Sequence, residues 1–563
     1  MQKQKVKKTM SVLLALAMTA SLAACGKSGA ENDESIENIM TEAGERDTVI
    51  VRIGRQTSSN PKLPEGDTYE DNAYIRMVEK ELNITIEDAF EANAGDDYNR
   101  QVSLALSASS LPDIMQVATK DELTELYENG LIADLTDVYE RYASDYVKSV
   151  YDSFGGRALN DVAYDGKIMA IPATKPDGGP SMCWIRSDWV EELGLTVDLD
   201  GDHCLTLDEV EKLAEAFIEA NPENAEKVIG MGFSSGLTDS NSDTAFSINA
   251  IAYSVGAYPR LWYKDESGTL VYGSTTEEMK ETLAIVKRWY EEGLIDQQLG
   301  TRTYEDGIAL LAGGQCGIVF GSWHIPDWML NNVYALNENA VFEPYAVTDS
   351  EGKVNCTHAK ATGEYIVVNA EFEHPEIAVQ ILNLFYDEIG NSPELLERYP
   401  EVGEYLNIGV DGTARPFNIE VKASTYMEDI YKELSAALSG SGTREGISSA
   451  EERASYDAIM AYMDGSGDIT GWCKLHSRYK GGGLLYSLTE NNRYHWITPV
   501  YPETTSTMNT NWANLLKLEE ESFLKIVTGS ADLDEGFEAF VSDWNKQGGE
   551  TILKEIMEQM REE

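Results

Sequence analysis

Basic residues are scarce in this chain of 563 residues. Its 44 Lys and Arg stand against 97 Asp and Glu, a formal net charge of −53. Such an acidic excess repels nucleic acid and anionic lipid surfaces, both of which are held by clustered Lys and Arg, so no nucleic-acid partner is expected. The excess does not select a ligand, because a cleft can differ locally from the surface around it. Cysteine is also rare. Cys25 aside, the cysteines are Cys183, Cys204, Cys316, Cys356 and Cys473, odd in number and widely spaced. That argues against a disulfide framework and reads them as small buried hydrophobes. The single tight Cys/His spacing, Cys473-x-x-His476, is half of a metal site with no second half nearby. It is taken as structural, and no metal or cofactor is expected. No fixed-period repeat is visible, and the apolar run near the N-terminus is too short to span a membrane.

That run has a different meaning. Lys3, Lys5, Lys7 and Lys8 precede the apolar stretch Val12 to Ala17, and small residues lead to Leu22-Ala23-Ala24-Cys25. A charged start, a short apolar segment and a small-residue cleavage site define an export signal. The closing cysteine resembles a lipobox, in which the thiol of Cys25 carries a diacylglycerol and becomes the first mature residue. An ordinary secretory signal is the alternative. Buried acyl chains contribute ~0.8 kcal/mol per methylene, so such an anchor holds the chain on the outer face of the cell membrane.

The organisation read along the chain is a signal at 1–24, a Gly, Ser and acid-rich tether at 25–46, and a folded body too long for one hydrophobic core. Thr48 to Ile53 predicts a strand, Ala73 to Leu82 a helix, and Ile84 to Glu87 a second short strand. Strands and helices keep alternating, the pattern of α/β lobes. Thr206 and Glu209 predict a capping box that opens a helix ended by Asn221-Pro222. A second helix is expected from Thr275 to Gly293, a third after His374-Pro375, and a late one around Phe537 to Trp544. Residues 390–495, broken by glycine clusters, predict an inserted subdomain with mobile loops.

Blocks along this body resemble the extracellular solute-binding proteins of carbohydrate ABC transporters, of the maltose-binding-protein-like kind. They are Ser110-Leu111-Pro112-Asp113-Ile114, Tyr164-Asp165-Gly166-Lys167 through Ile171-Pro172, and Trp184-Ile185-Arg186-Ser187-Asp188-Trp189 on to Leu193-Gly194. Next come Glu292-Gly293-Leu294-Ile295-Asp296 and Gly314 to Trp323. His374-Pro375-Glu376 with Asn383 to Tyr386 follows, and then Asp543-Trp544 through Gly548-Gly549. The resemblance runs from about residue 48 to the end, with the blocks in order. It implies an α/β, two-lobed type II periplasmic-binding-protein fold with a hinge and an interlobe ligand cleft. The expected lobes are 47–175 plus about 362–495, the first with the inserted subdomain, and 176–361 plus about 496–563. The implied activity is capture of a carbohydrate, an oligosaccharide in the lipid-anchored branch, and its delivery to ABC permease subunits by a monomer. No chemistry on the ligand is expected.

Sugars offer C–H faces to aromatic rings and hydroxyls to fixed polar groups. Trp323 leads the candidates: it follows the apolar strand Cys316 to Phe320 through Gly321, so it emerges at a strand's C-terminal end, where open α/β sheets bind ligands. His324 beside it is a hydrogen-bonding candidate. Trp262, Trp472 and Trp496 lie near glycine-rich or polar loops and are further stacking candidates, with core packing as the alternative. By the resemblance, the loop Arg55 to Asn60 contacts sugar, with Arg55 and Asn60 as donors. Lys120 and Lys175 then fall at ligand-facing positions that would suit a uronate, and Phe246 supplies a stacking ring.

Two motif matches are set aside. Asp198, Asp200, Asp202, Thr206 and Glu209 fit a calcium loop, but His203 replaces its turn glycine and the capping box explains the last two. Gly232-Phe233-Ser234-Ser235-Gly236 fits a hydrolase elbow, yet loop-formers rather than a helix follow it. An extracellular glycoside hydrolase and a sugar sensor coupled to a membrane receptor are the rival functions.

Overall fold

The computed structural model describes residues 47–198, 201–223, 225, 227–240 and 244–562. The export signal, the tether and Cys25 lie outside the described residues, as do Asp200 and Asp243. The strands of the two main sheets, in chain order, are β1 (Val49–Thr57), β2 (Ile84–Asn93), β3 (Ile114–Val117), β4 (Ile171–Thr174) and β5 (Met182–Arg186). They continue with β6 (Cys204–Leu205), β7 (Ile229–Gly232), β8 (Cys316–Gly321), β9 (Phe342–Val347) and β10 (Thr362–Val368). The chain forms two compact units, residues up to 174 with 363–421, and 175–362 with 422–563.

In the first unit the sheet order is β2-β1-β3-β10-β4, with β2, β1 and β3 parallel and β10 antiparallel to β3. Edge strand β2 shows period-two burial along its whole length. Its register against β1 slips between Ile53↔Asp88 and Gly54↔Phe90, so Ala89 is the extra residue of a bulge. Bulges re-aim neighbouring side chains. Here Phe90 passes so close over Gly54 that a Cβ there would lie 2.6 Å from the ring. The helix Ala73–Leu82 has the predicted bounds. Asn72 caps its start by accepting from the Tyr74 and Ile75 amides, and Asn83 ends it in the left-handed region at φ 48°. Its buried Tyr74 meets Phe385 and Tyr405 edge-on from the returning segment.

In the second unit the order is β6-β9-β5-β8-β7. Strand β5 is buried throughout and runs antiparallel to both β8 and β9. Its alternating side chains feed two cores: Cys183 and Ile185 join one with Trp189, Phe217 and Trp289, and Met182 and Trp184 join the other. The Thr206–Glu209 capping box is formed as expected, and its helix, Leu207–Ala220, ends at Asn221 in the left-handed region. The next helix starts two residues later than the expected Thr275. Residues Gly273–Thr275 make a 3₁₀ turn, and Thr276 caps Glu277–Glu292 by accepting from the Met279 amide.

Packing corrects the reading of residues 422–495 as part of a loop-rich insertion in the first lobe. Residues 422–495 belong to the second unit, because Trp472, Leu484, Leu485 and Leu488 share one apolar core with Met182, Trp184 and Val319. They are also largely helical, as Tyr426–Ser439, Ala450–Met463, Ile469–Lys474 and Gly482–Glu490. The glycines at 481 and 483 mark close approach rather than loop mobility. A Cβ at Gly481 would lie 2.6 Å from the Trp323 carbonyl oxygen, and one at Gly483 would lie 2.9 Å from the Tyr431 ring.

Among the described residues the five cysteines are free, and four of them are buried. Burial pushes the Cys316 thiol up to about 12 and the Cys473 thiol up to about 11. His476 is buried against Trp472, with Nδ1 2.8 Å from the Trp472 carbonyl, and burial holds its pKa down at about 3. No described helix is long and apolar enough to cross a membrane.

Candidate ligand-contacting surfaces

In the first unit, the C-terminal ends of parallel β1 and β2 lead into the loops where α/β sheets place ligands. The loop after β1 is closed on itself by Tyr69, whose hydroxyl accepts from the Ser58 amide at 2.7 Å and donates to the Ser58 carbonyl at 3.1 Å. It encloses an open cavity of about 470 Å³ lined by Asn60, Lys62, Asp67, Tyr69, Glu70 and Glu91 among others. Asn60 is exposed there.

Arg55 is not an exposed donor. It is only 1% exposed, and its Nε donates to both Asp88 carboxylate oxygens at 2.8 and 2.7 Å. The bulge at Ala89 lies beside this pair, and a buried guanidinium is retained only when so neutralised. Nη1 and Nη2 of Arg55 have no hydrogen-bond partner. Carboxylate oxygens of Glu70, Asp88 and Glu91 lie within 4.8 Å of one another. Glu70 is held below the usual carboxylate range by its own backbone amide, then by the Thr68 hydroxyl, with the Arg55 charge adding to both.

Lys120 opens the helix Lys120–Glu128 just past β3. Its ammonium sits 4.4 Å from the Tyr164 ring centroid, donates to the Asp161 carbonyl and lies 4.0 Å from the Asp161 carboxylate. Its charge is therefore satisfied within the first unit. Lys175 is exposed and belongs to the second unit.

In the second unit, β8 runs through buried Gly321 and Ser322 to Trp323 and His324, and a turn of π-helix, Pro326–Leu330, follows. Trp323 and His324 are both half-buried, with ring centroids 4.9 Å apart. Trp328 Nε1 donates to His324 Nδ1 at 3.1 Å. An indole nitrogen only donates, so that contact places the neutral imidazole proton on Nε2. Trp328 is 38% exposed and stacks near-parallel on Tyr304, which is 37% exposed. Apolar rings at this exposure beside a strand end form the kind of platform that sugar C–H faces cover. Sequence reasoning missed Trp328, although it lies four residues past His324, one helical turn away.

Arg478 braces this surface. Its guanidinium carbon lies 5.2 Å from the Trp323 ring centroid, Nη1 donates to Asp327, and Nε lies 3.6 Å from Glu452 Oε1. Glu452 is 1% exposed, and burial raises its pKa while the Arg478 charge opposes the rise. No local sequence signal ties residue 478 to 323.

Three expected stacking residues are core residues instead. Trp262 packs among Tyr272, Trp512 and Trp544. Trp472 is sandwiched between Tyr334 and His476, at ring distances of 4.7 and 4.2 Å. Phe246, buried at φ 65°, lies over Gly307 and edge-on to Tyr304. Trp496 is half-buried, with one face stacked on His358 at 4.5 Å. The described carboxylates of the calcium-like loop, Asp198, Asp202 and Glu209, are engaged by protein groups. The Asp198 carboxylate accepts from the Gly201, Asp202 and His203 amides, Asp202 pairs with Arg493, and Glu209 serves the helix cap. The Gly232–Gly236 segment leads into turns, and among the described residues the next helix begins at Asn249.

Two α/β units, each with loops and aromatics gathered at strand C-terminal ends, define a ligand-binding protein of the solute-binding class. Residues 64–391 match the profile of bacterial extracellular solute-binding proteins, and the chain belongs to that family. It is 25% identical over 341 residues to the fructooligosaccharide ABC transporter substrate-binding protein FusA of Streptococcus pneumoniae serotype 4, covering 58% of this chain and 59% of FusA. It is 22% identical over 499 residues to the polygalacturonan/rhamnogalacturonan-binding protein YtcQ of Bacillus subtilis, covering 87% and 88%. In fold it is similar to an HMO-binding, ABC-transporter-associated solute-binding protein from Bifidobacterium longum infantis. That likeness has a TM-score of 0.54 at 15% identity and covers 90% of this chain and 98% of the other.

Proposed function

We propose that this chain is a lipid-anchored receptor on the outer face of the cell membrane that captures an oligosaccharide and hands it to an ABC permease, without acting on it chemically. The supporting observation is the exposed Trp328–Tyr304 stack beside Trp323 and His324 at the C-terminal end of β8. Stacking there gives area without hydroxyl specificity, and His324 beside it supplies a polar contact. FusA and YtcQ, by their names, bind fructooligosaccharide and polygalacturonan/rhamnogalacturonan, which supports a glycan as the ligand class. Anchoring follows from Leu22-Ala23-Ala24-Cys25, and Cys25→Ser is expected to release the protein from membranes into the medium.

The test is a thermal-shift and calorimetry panel of oligosaccharides. A ligand at 100 times its Kd adds about 2.7 kcal/mol of stability. Trp328→Ala is expected to weaken binding at least about tenfold, ~1.4 kcal/mol. Because Trp328 is exposed, the same change should alter folding stability by no more than about 1 kcal/mol. Recovery of the glycan intact supports a receptor. Cleaved product would move the assignment to a hydrolase, and unchanged affinity in Trp328→Ala would remove the stack from the site.

A further inference from the structure

The exposed indole of Trp328 is oriented by two contacts. One face lies near-parallel to Tyr304, with ring centroids 6.3 Å apart, and Nε1 donates to His324 Nδ1 at 3.1 Å. The same Nδ1 lies 2.8 Å from the hydroxyl of Ser322, which is wholly buried past the end of β8. The two neighbours differ in kind. An indole nitrogen can only donate, whereas a hydroxyl both donates and accepts. Neutral His324, with its proton on Nε2, accepts from both.

Imidazolium carries a proton on each ring nitrogen. Its Nδ1–H can turn to Ser322, whose hydroxyl rotates to accept, and it then meets the Trp328 N–H with a second donor. Protonation therefore keeps the Ser322 contact and converts the Trp328 contact from attraction to repulsion. Trp328 is 38% exposed, so the ring has room to leave Tyr304.

The charged groups around this histidine are of both signs. Asp327, on the same turn, is paired with Arg478 and lies 3.6 Å from Lys474. Arg478 also reaches Glu451 and Glu452 of the helix Ala450–Met463, and Lys480 pairs with Glu343 of β9. Tyr304 and Glu305 open the helix Tyr304–Ala312. Glu452, whose carboxyl pKa burial raises, is the rival source of a pH effect at this surface.

Resting on the glycan reading of this surface, we infer that His324 is a positioning residue: its neutral imidazole holds Trp328 in the stack, and glycan capture weakens as pH falls through the His324 titration. By reciprocity, bound glycan resists protonation of His324.

Calorimetry on the purified chain between pH 5 and 8, the range in which histidine changes charge, tests the coupling. Kestose, maltotriose, tri-N-acetylchitotriose and trigalacturonate serve as probes, because their own charge is constant over that range. A probe that binds at pH 8 is expected to bind about fivefold more weakly at pH 5, the factor carried by one net neutral hydrogen bond. His324→Asn sets an amide oxygen near the Nδ1 position that accepts at every pH, and it should flatten the profile whatever its affinity. Trp328→Phe keeps a ring without a donor and should flatten it too. A ligand-free measurement separates the contact from the glycan reading. The Trp328 indole N–H resonance, identified in isotope-labelled protein by its loss in Trp328→Phe, should move between pH 5 and 8 and stay fixed in His324→Asn. A pH-independent affinity in the parent chain, or a dependence that survives in either variant, overturns the inference and leaves the glycan receptor standing. An indole resonance that does not move overturns it as well. Binding of no probe at any pH overturns the glycan reading, and the inference about capture falls with it even where the resonance moves.

Discussion

Replacing Arg478 with Met removes the charge that favours the ionised form of Glu452 in the core while keeping much of the side-chain volume. Glu452 is almost wholly buried, and beyond Arg478 its carboxylate accepts from the Tyr426 hydroxyl at 3.3 Å. Asp327 fares better: it keeps Lys474 at 3.6 Å and the Ser477 hydroxyl at 3.0 Å. Breaking a buried pair from one side costs roughly 3–5 kcal/mol. With Asp327 still served, the lower end applies, about 3 kcal/mol. The Trp323 ring also loses its cation, and ligand affinity should fall with it. All ten tryptophans fall within the second unit, so urea unfolding followed by tryptophan fluorescence reports that unit alone. Adding Glu452→Gln, which removes the orphaned charge and preserves an acceptor, should restore about 2 kcal/mol. The Arg478→Met deficit should also be larger at pH 8 than at pH 5. Burial raises the Glu452 pKa, the lost guanidinium raises it further, and a raised carboxyl pKa lowers stability as pH climbs above the unfolded value. A loss under about 1 kcal/mol, or the same loss with Gln at 452, would refute the buried-pair account.

In the first unit, Glu388 is pushed up to about 7 by burial, then by Glu81 and Asp387. The native state binds this proton more tightly than the unfolded chain, so stability falls from about pH 4.5 to pH 7 and the penalty is full above that. Glu388→Gln should stabilise the unit at pH 8 by up to about 3 kcal/mol and do little at pH 4; a pH-independent effect in denaturant titrations would count against it. Gly481→Ala should push its new methyl into the Trp323 carbonyl, 2.6 Å away, at a cost of about 1–3 kcal/mol. Weaker glycan binding in calorimetry should accompany it, and wild-type stability with wild-type affinity would show that Trp323 is free to move.

Local structure in this protein was legible wherever it depended on neighbours in the chain. The helix Ala73–Leu82, the capping box of Thr206 and Glu209, and the helix end at Gly293 all rest on side chains reaching amides three residues away or on one left-handed residue. The ordered family blocks carried the fold class for the same reason: they record strand starts and helix exits. Trp323 was singled out because it follows a strand's C-terminal end, and the structure places it half-buried there. The errors share a different cause. Trp262 and Trp472 were stacking candidates, with core packing as the alternative, because glycine and polar residues lie near them in sequence, and Phe246 was one by the family resemblance. What buries each of them is a partner far along the chain, Trp544 for Trp262 and Tyr334 for Trp472.

By itself the sequence determined the acidic excess, the alternating α/β elements and the family. Only the tertiary structure decided which aromatics are covered, that 422–495 joins the second unit, that Arg55 faces Asp88 rather than solvent, and that Arg478 lies against Trp323. Capping and periodicity act over three or four residues and are written locally. Burial and charge pairing depend on which distant segments meet, and that is set by the packing of whole cores.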